Sequence, residues 1–166
     1  MDDQNVGQDA SRNPTVDDLI ILCRHLNDSG VRYLVVGGFA VIHYGYIRTT
    51  GDIDILIDTS QENIEKLKTA LMYLPDQAIK DLSLSDVREY TVVRVADEIV
   101  IDLLDKAAGI SYQEAEKDIE IDKVNQIPFV GIKTLIRMKG TYREHDASDK
   151  AYLENLLVQM NIKTKK

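Results

Sequence analysis

The chain has 166 residues, a formal net charge of -8 and a single cysteine. This length predicts one domain, and a lone cysteine rules out an intrachain disulfide. No apolar stretch approaches the roughly 20 residues that a membrane helix needs, so we expect no membrane partner. The single cysteine fits a reducing cytoplasm, where we expect the protein to be. The acidic balance argues against a general nucleic-acid binder, because such proteins usually carry a basic surface.

The first half of the chain begins with a polar segment and then alternates helical and strand patterns. Residues 1–13 are polar and mixed in charge, which predicts a disordered tail before a single domain over 14–166. Thr15, with Asp18 three residues later, is typical of a helix N-terminus, and Gly30 of a helix end. In chain order the pattern then predicts a strand over 31–36, a short helix over 39–45, a loop over 47–51, a strand over 52–58 and an amphipathic helix over 59–74.

The second half predicts a hairpin followed mainly by helices. The β-rich runs "YTVVRV" and "IVIDLL" are joined by "ADE", which favours a hairpin, whereas residues 76–89 are ambiguous. The whole pattern predicts an α/β (α+β) fold, with a mixed sheet flanked by helices and a C-terminal helical segment. The later elements are predicted as a helix over 111–119, an extended piece over 127–130, and helices over 131–142 and 146–160, the last with Leu153, Leu156, Leu157 and Met160 as its apolar stripe.

The string "GDIDILID" places two acids at the start of an apolar strand. Residues two apart in a strand point to the same face, so Asp52 and Asp54 point together. Ile53, Ile55 and Ile57 then point to the opposite face, into a core. Two neighbouring carboxylates repel each other unless a cation or proton lies between them, and oxygen-only ligands suit Mg²⁺.

A third acid, Asp102, interrupts the apolar strand "IVIDLL". An aspartate there is costly unless something pairs with it. If the two strands are neighbours, Asp102 converges with Asp52 and Asp54 into a cluster that suits one or two divalent ions and in-line displacement at phosphorus. Two alternatives stay open: the D-x-D pair is a turn or cap feature, or Asp102 forms a salt bridge with Arg94 across the hairpin.

Two glycines, Gly37 and Gly38, follow the strand "YLVV" and precede a helix. Backbone N–H groups approach phosphate closely in such a turn, so the pair suits phosphate binding. A tight strand-to-helix turn explains the same pair equally well. The dinucleotide fingerprint lacks its third glycine here, and no Gly-Lys-Ser/Thr of a Walker loop follows.

Taken together, "VVGGFAVIHYG", "RTTGDIDILI" and "IVIDLL" resemble the nucleotidyltransferase superfamily of the DNA polymerase β type. The string "RTTGDIDILI" is most similar to the small bacterial nucleotidyltransferases, including the group related to the AbiEii toxins. Their closing segment, with a lysine, an arginine and two spaced aspartates before leucines, resembles "LIRMKGTYREHDASDKAYLENL". The resemblance covers roughly residues 30–158.

This resemblance implies a nucleotidyltransferase fold and a set of roles. Gly37 and Gly38 would hold the nucleoside triphosphate, and Asp52 and Asp54 would bind Mg²⁺ or Mn²⁺. Asp102 would be the third metal ligand and would activate the attacking hydroxyl. The implied reaction transfers a nucleoside monophosphate to a small molecule, a protein side chain or an RNA end and releases pyrophosphate. The alternative is a non-catalytic nucleotide-binding module, or a partner in a toxin–antitoxin pair.

Four further polar residues are candidates for the nucleotide site. Arg48 and Thr50 lie in the loop that leads into the acids, where Arg48 either contacts a phosphate, braces Asp52 or faces water. Lys139 and Arg143 are four residues apart, so a helix would place them on one side. They either contact the nucleotide or pair with acids such as Asp146.

Overall fold

A six-stranded mixed sheet organises the protein. The computed structural model describes residues 11–140 and 144–165. The strands in that part of the chain are β1 (Tyr33–Val36), β2 (Ile53–Ile57), β3 (Val92–Ala96), β4 (Val100–Leu104), β5 (Lys106–Ala107), β6 (Ile110–Ser111), β7 (Ile119–Asp122) and β8 (Ile127–Val130).

Seven α-helices and one short 3₁₀ turn, Ala78–Asp81, occur in the described residues. None of these helices has both the length and the apolar character needed to cross a bilayer. The predicted α/β class, the mixed sheet and the C-terminal helix are confirmed. The helices are α1 (Val16–Asp28), α2 (Gly37–His43), α3 (Gln61–Leu71), α4 (Leu84–Glu89), α5 (Tyr112–Ala115), α6 (Ile132–Met138) and α7 (Glu144–Thr164).

The strand order of the large sheet is β3-β4-β2-β1-β8-β7, and β5 and β6 form a separate hairpin. β1 and β2 are antiparallel, as are β3 and β4, whereas β2 and β4 are parallel neighbours. The strand with the D-x-D pair is therefore adjacent to the strand that carries the third acid. This arrangement places the two acidic motifs side by side in the middle of the sheet.

Local signals explain where several helices begin. Thr15 caps α1 through a reciprocal capping box with Asp18, as the sequence predicts. Ser60 caps α3 by accepting a hydrogen bond from the backbone N–H of Asn63. Between these helices and the sheet lies a core in which Leu22, Leu26 and many other apolar residues are fully buried.

Two predicted helices differ from the structure. The helix predicted over 111–119 is limited to α5, and Ile119 begins strand β7. β7 is an edge strand whose Ile119 and Ile121 are exposed, so it has no buried face to give the sequence a strand signal. The helix predicted over 131–142 ends at Met138, and residues 141–143 lie outside the described residues.

The predicted apolar stripe of α7 is correct only in its first part. Leu153 is fully buried and Leu156 and Leu157 are partly buried, but Met160 is 41% exposed. Every described residue from 158 to 165 is exposed, because the last turns of the helix extend past the core. Residues 1–10 of the predicted tail lie outside the described residues, and Ser11 donates a hydrogen bond to the carbonyl of Asp97 at 2.6 Å.

Candidate functional site

A row of side chains crosses three neighbouring strands of the sheet. Asp54 on β2 lies directly opposite Asp102 on β4, and Arg94 on β3 lies directly opposite Asp102 from the other side. Residues opposite each other in a sheet share a face. The register of the strands therefore places two carboxylates and a guanidinium in one line on the same side of the sheet.

Asp52, just before β2, completes an acidic cluster with Asp54 and Asp102. One carboxylate oxygen from each of the three residues lies within 4.8 Å of the others. On the opposite face, Ile53, Ile55 and Ile57 are fully buried. The predicted convergence of the three acids is therefore confirmed, and oxygen ligands at this spacing suit Mg²⁺ or Mn²⁺.

Arg94 closes one side of this acidic cluster. Its Nε and Nη2 donate to the two oxygens of Asp102, each at 2.9 Å, and Nη2 also donates to Oδ2 of Asp52 at 3.3 Å. The hydrogen bonds to Asp102 raise the pKa of the Arg94 guanidinium above its ordinary value. The salt bridge across the hairpin, which was the alternative explanation of Asp102, thus exists together with the acidic cluster.

The two glycines lie where other side chains come very close to the backbone. Gly37 has a φ of +65°, and a Cβ on it would overlap the carboxylate of Asp54, with Cγ 2.7 Å away. A Cβ on Gly38 would lie 2.6 Å from Oγ1 of Thr50. The absence of side chains on the two glycines therefore leaves space for Asp54 and Thr50, independently of any phosphate binding.

Arg48 links the loop before the acids to the C-terminal helix. Its Nη2 contacts Oδ2 of Asp149 at 3.0 Å, and its Nη1 donates to the carbonyl of Thr49 at 2.9 Å. Asp149 is fully buried. No local sequence pattern indicates this role of Asp149, because the contact joins residues 101 positions apart.

Lys139 joins the same ionic network from the end of α6. Its Nζ lies 3.0 Å from Oδ2 of Asp149 and 3.4 Å from Oδ1 of Asp146, and its side chain is 9% exposed. The alternative that paired Lys139 with Asp146 is therefore confirmed. Arg143, the other cation of that prediction, lies outside the described residues.

Part of this network has unsatisfied polar atoms. Within the described part of the chain, Nε of Arg48 and Oδ1 of Asp149 are buried and make no hydrogen bond. Burying charged groups is costly unless they are paired, so Arg48, Lys139 and Asp149 depend on one another. The network fixes the first half of α7 beside the glycine turn.

Two cavities adjoin the acidic cluster and share Gly37, Asp54, Lys139 and Asp146 in their walls. The larger, of about 360 Å³, has a polar wall formed by Gly38 and the loop from Arg48 to Asp52. The smaller, of about 190 Å³, has walls that combine Asp102 and Lys106 with apolar residues. The apolar residues that line the smaller cavity include Val36, Val92, Leu104, Leu135 and Met138.

Comparison with known proteins adds no family to this description. No protein-family model matches the chain, and no curated protein matches it. The described residues define a mixed α/β protein in which three carboxylates and one arginine converge between a polar cavity and a partly apolar one.

Proposed function

We propose that the chain is a nucleotidyltransferase with the DNA polymerase β type of fold. It transfers a nucleoside monophosphate from a triphosphate to an acceptor hydroxyl, with Mg²⁺ or Mn²⁺ as cofactor, and releases pyrophosphate. The observation that carries the proposal is the convergence of Asp52, Asp54 and Asp102 within 4.8 Å beside a polar cavity.

The acids fit a divalent cation in number, type and placement. Asp52 and Asp54 extend from the N-terminal end of one strand, and Asp102 faces Asp54 from the next. Hard oxygen ligands of this kind are those that Mg²⁺ takes in phosphoryl-transfer sites. When bound, the ion neutralises negative charge on the phosphates as the bond to the leaving pyrophosphate breaks.

The larger cavity fits the triphosphate. Its volume of about 360 Å³ is within the range of small-molecule sites, and it opens directly onto Asp52 and Asp54. Gly38, Arg48 and Lys139 line this cavity, and the last two are cations. These residues would bind and orient the phosphate chain so that its α-phosphorus lies next to the acids.

The chemical step that we propose balances without any other reactant. The acceptor oxygen attacks the α-phosphorus, a new P–O bond forms, and the bond to the bridging oxygen breaks with release of pyrophosphate. Asp102 accepts the proton of the acceptor hydroxyl. Until a cation displaces it, Arg94 holds Asp102 in position through two parallel hydrogen bonds.

One observation favours the alternative, a nucleotide-binding module without catalysis, such as a partner in a toxin–antitoxin pair. Arg94 already neutralises Asp102, and in part Asp52. Such a cluster is stable as a purely structural feature. This alternative predicts that Mg²⁺ and a nucleotide bind but that no pyrophosphate appears.

Pyrophosphate release with each of the four nucleoside triphosphates and Mg²⁺ separates these functions. A mixture of small hydroxyl compounds, a protein extract and RNA would be supplied as acceptors. We expect release by the parent protein and by Asp81→Asn, whose aspartate is exposed in the 3₁₀ turn, but not by Asp54→Asn. Nucleotide binding without release would support the module, and neither binding nor release would refute both functions.

A further inference from the structure

The register of the β3–β4 hairpin places Arg94 next to the acidic cluster. Arg94 occupies the position directly opposite Asp102 in the β3–β4 hairpin, so the same backbone pairing that builds the hairpin brings the guanidinium to the acidic cluster. β3 is an edge strand of the sheet, and the Arg94 side chain is 61% exposed. The guanidinium can therefore move into solvent without any change in the backbone.

The contacts of Arg94 span the cluster. It donates to both oxygens of Asp102 at 2.9 Å and to one oxygen of Asp52 at 3.3 Å. A guanidinium binds a carboxylate through two parallel N–H groups, which uses the same oxygens that a metal ion would use. Of the three acids, Asp102 is the one whose two oxygens both accept hydrogen bonds from Arg94.

We propose that Arg94 is a built-in cation of the acidic cluster and competes with a divalent ion for Asp102. This inference rests on the proposed metal-dependent function and adds a regulation of the same site. One ion binds at Asp52 and Asp54 in the free protein. A second ion that uses Asp102 binds only when Arg94 leaves.

Two physical effects make this competition effective. Two positive groups close together repel, so a guanidinium beside Asp102 weakens the binding of any cation to it. The guanidinium can also be displaced into water, because the Arg94 side chain is 61% exposed, although Asp102 itself is buried. Arg94 thus stabilises the three acids in the absence of metal without closing the site permanently.

Manganese titration of the full chain tests this proposal, with the number and affinity of bound ions measured by electron paramagnetic resonance. In Arg94→Gln we expect the ion that uses Asp102 to bind on the order of tenfold more tightly than in the parent, since one opposing charge has been removed. The first ion binds at Asp52 and Asp54. We expect its affinity to change less in Arg94→Gln than the affinity of the ion that uses Asp102. Arg94→Lys keeps the charge but loses the planar guanidinium, so we expect its manganese affinity at Asp102 to lie between those of the parent and Arg94→Gln.

Arg137→Gln is the matched control, because Arg137 is 59% exposed and pairs with Glu114 at 2.7 Å outside the cluster. We expect its manganese binding to equal that of the parent. If Arg94→Gln does not fold without metal, the manganese affinities of Arg94→Lys and the parent test the competition instead. The Mn²⁺-induced rise in melting temperature gives a second readout, expected to be larger in either Arg94 variant.

The possible results are distinct for the two proposals. Tighter manganese binding in the Arg94 variants supports the competition, since an arginine that only supports the fold would not weaken metal binding. Identical or weaker binding in both Arg94 variants overturns the competition and leaves the proposed function intact. No manganese binding by any of the proteins overturns both.

Discussion

Asp54 and Asp102 face each other on neighbouring parallel strands, at the same register position of β2 and β4. Their carboxylates, with that of Asp52, offer oxygens within 4.8 Å of one another. Arg94 pairs with Asp102 from the next strand. Asp102 therefore carries a bidentate guanidinium, and replacement of the opposed acids gives a direct test by mutation.

The first prediction concerns replacement of each of these acids by asparagine. We expect Asp54→Asn to be as stable as the parent, or more stable, without metal, because it removes one of three like charges. Asp102→Asn is expected to lose about 1 kcal/mol, because it breaks charged hydrogen bonds to a partly exposed Arg94. Urea denaturation measures both stabilities, and Asp54→Asn should also lose metal-dependent nucleotide binding. A destabilised Asp54→Asn that still binds Mg²⁺-nucleotide would contradict the metal role of Asp54.

The second prediction concerns the close approach of Gly37 to Asp54. Gly37→Ala is expected to cost about 1 to 3 kcal/mol, because alanine is strained at a φ of +65°. It should also displace the Asp54 carboxylate and weaken manganese binding, since the added Cβ overlaps that side chain.

Gly109→Ala is the control for the backbone effect. Gly109 has a φ of +78°, but no described heavy atom lies within 4 Å of a Cβ placed on it. It should therefore lose stability without any change in manganese affinity. Equal effects of the two variants on metal binding would show that the Gly37–Asp54 contact has no role in the site.

The third prediction concerns the ionic network between α6, α7 and the loop before the acids. Asp149→Asn leaves Arg48 and Lys139 buried without their shared carboxylate, which is expected to cost on the order of 3 kcal/mol. Lys150→Met, which removes an exposed pair with Glu154 on the same helix, should change stability little. Urea denaturation of the two variants checks this, and similar stabilities would contradict the role of Asp149.

The fourth prediction is a pH dependence located at Asp18, far from the acidic cluster. Arg12 donates to both oxygens of this carboxylate at 2.6 and 2.7 Å, and Thr15 also donates to it, so the pKa of Asp18 lies well below its ordinary value of 3.8. A carboxyl with a lowered pKa in the folded state stabilises the protein fully above its unfolded pKa, and this contribution is lost as the pH falls.

The comparison of the parent with Asp18→Asn isolates that contribution. The difference in free energy of unfolding should be constant from pH 7 to about pH 5 and should shrink below about pH 4. Denaturation curves at several pH values measure it. A difference that does not change between pH 7 and pH 3 would show that the charge of Asp18 is not what stabilises α1.

The parts of the fold with strong local signals were predictable from the sequence. The capping box of Thr15 and Asp18, the D-x-D strand and the hairpin around "ADE" all depend on residues close together in the chain. The same-face placement of Asp52 and Asp54 follows from the period of a strand. The approach of Asp102 was a prediction that depended on strand adjacency, which the structure confirms.

The rest of the site depends on long-range contacts that leave no local pattern. The local sequence does not distinguish Asp149 from an exposed acid on a polar helix. Only the fold brings it to Arg48, 101 residues away. The salt bridge of Asp102 with Arg94 was an alternative to the acidic cluster, and no local pattern indicates that the two occur together. Strand β7 was missed because its isoleucines are exposed at the edge of the sheet.

The most direct test of the central claim is the melting temperature of the parent protein with a nucleoside triphosphate, measured once with Mg²⁺ and once with a chelator. A ligand at 100 times its Kd that binds only the folded state stabilises it by about 2.7 kcal/mol. We predict a clear rise in melting temperature with Mg²⁺ and nucleotide, little with nucleotide and chelator, and none in Asp54→Asn. Equal shifts with and without Mg²⁺, or an unchanged shift in Asp54→Asn, would contradict the claim that these carboxylates bind a metal ion with the nucleotide.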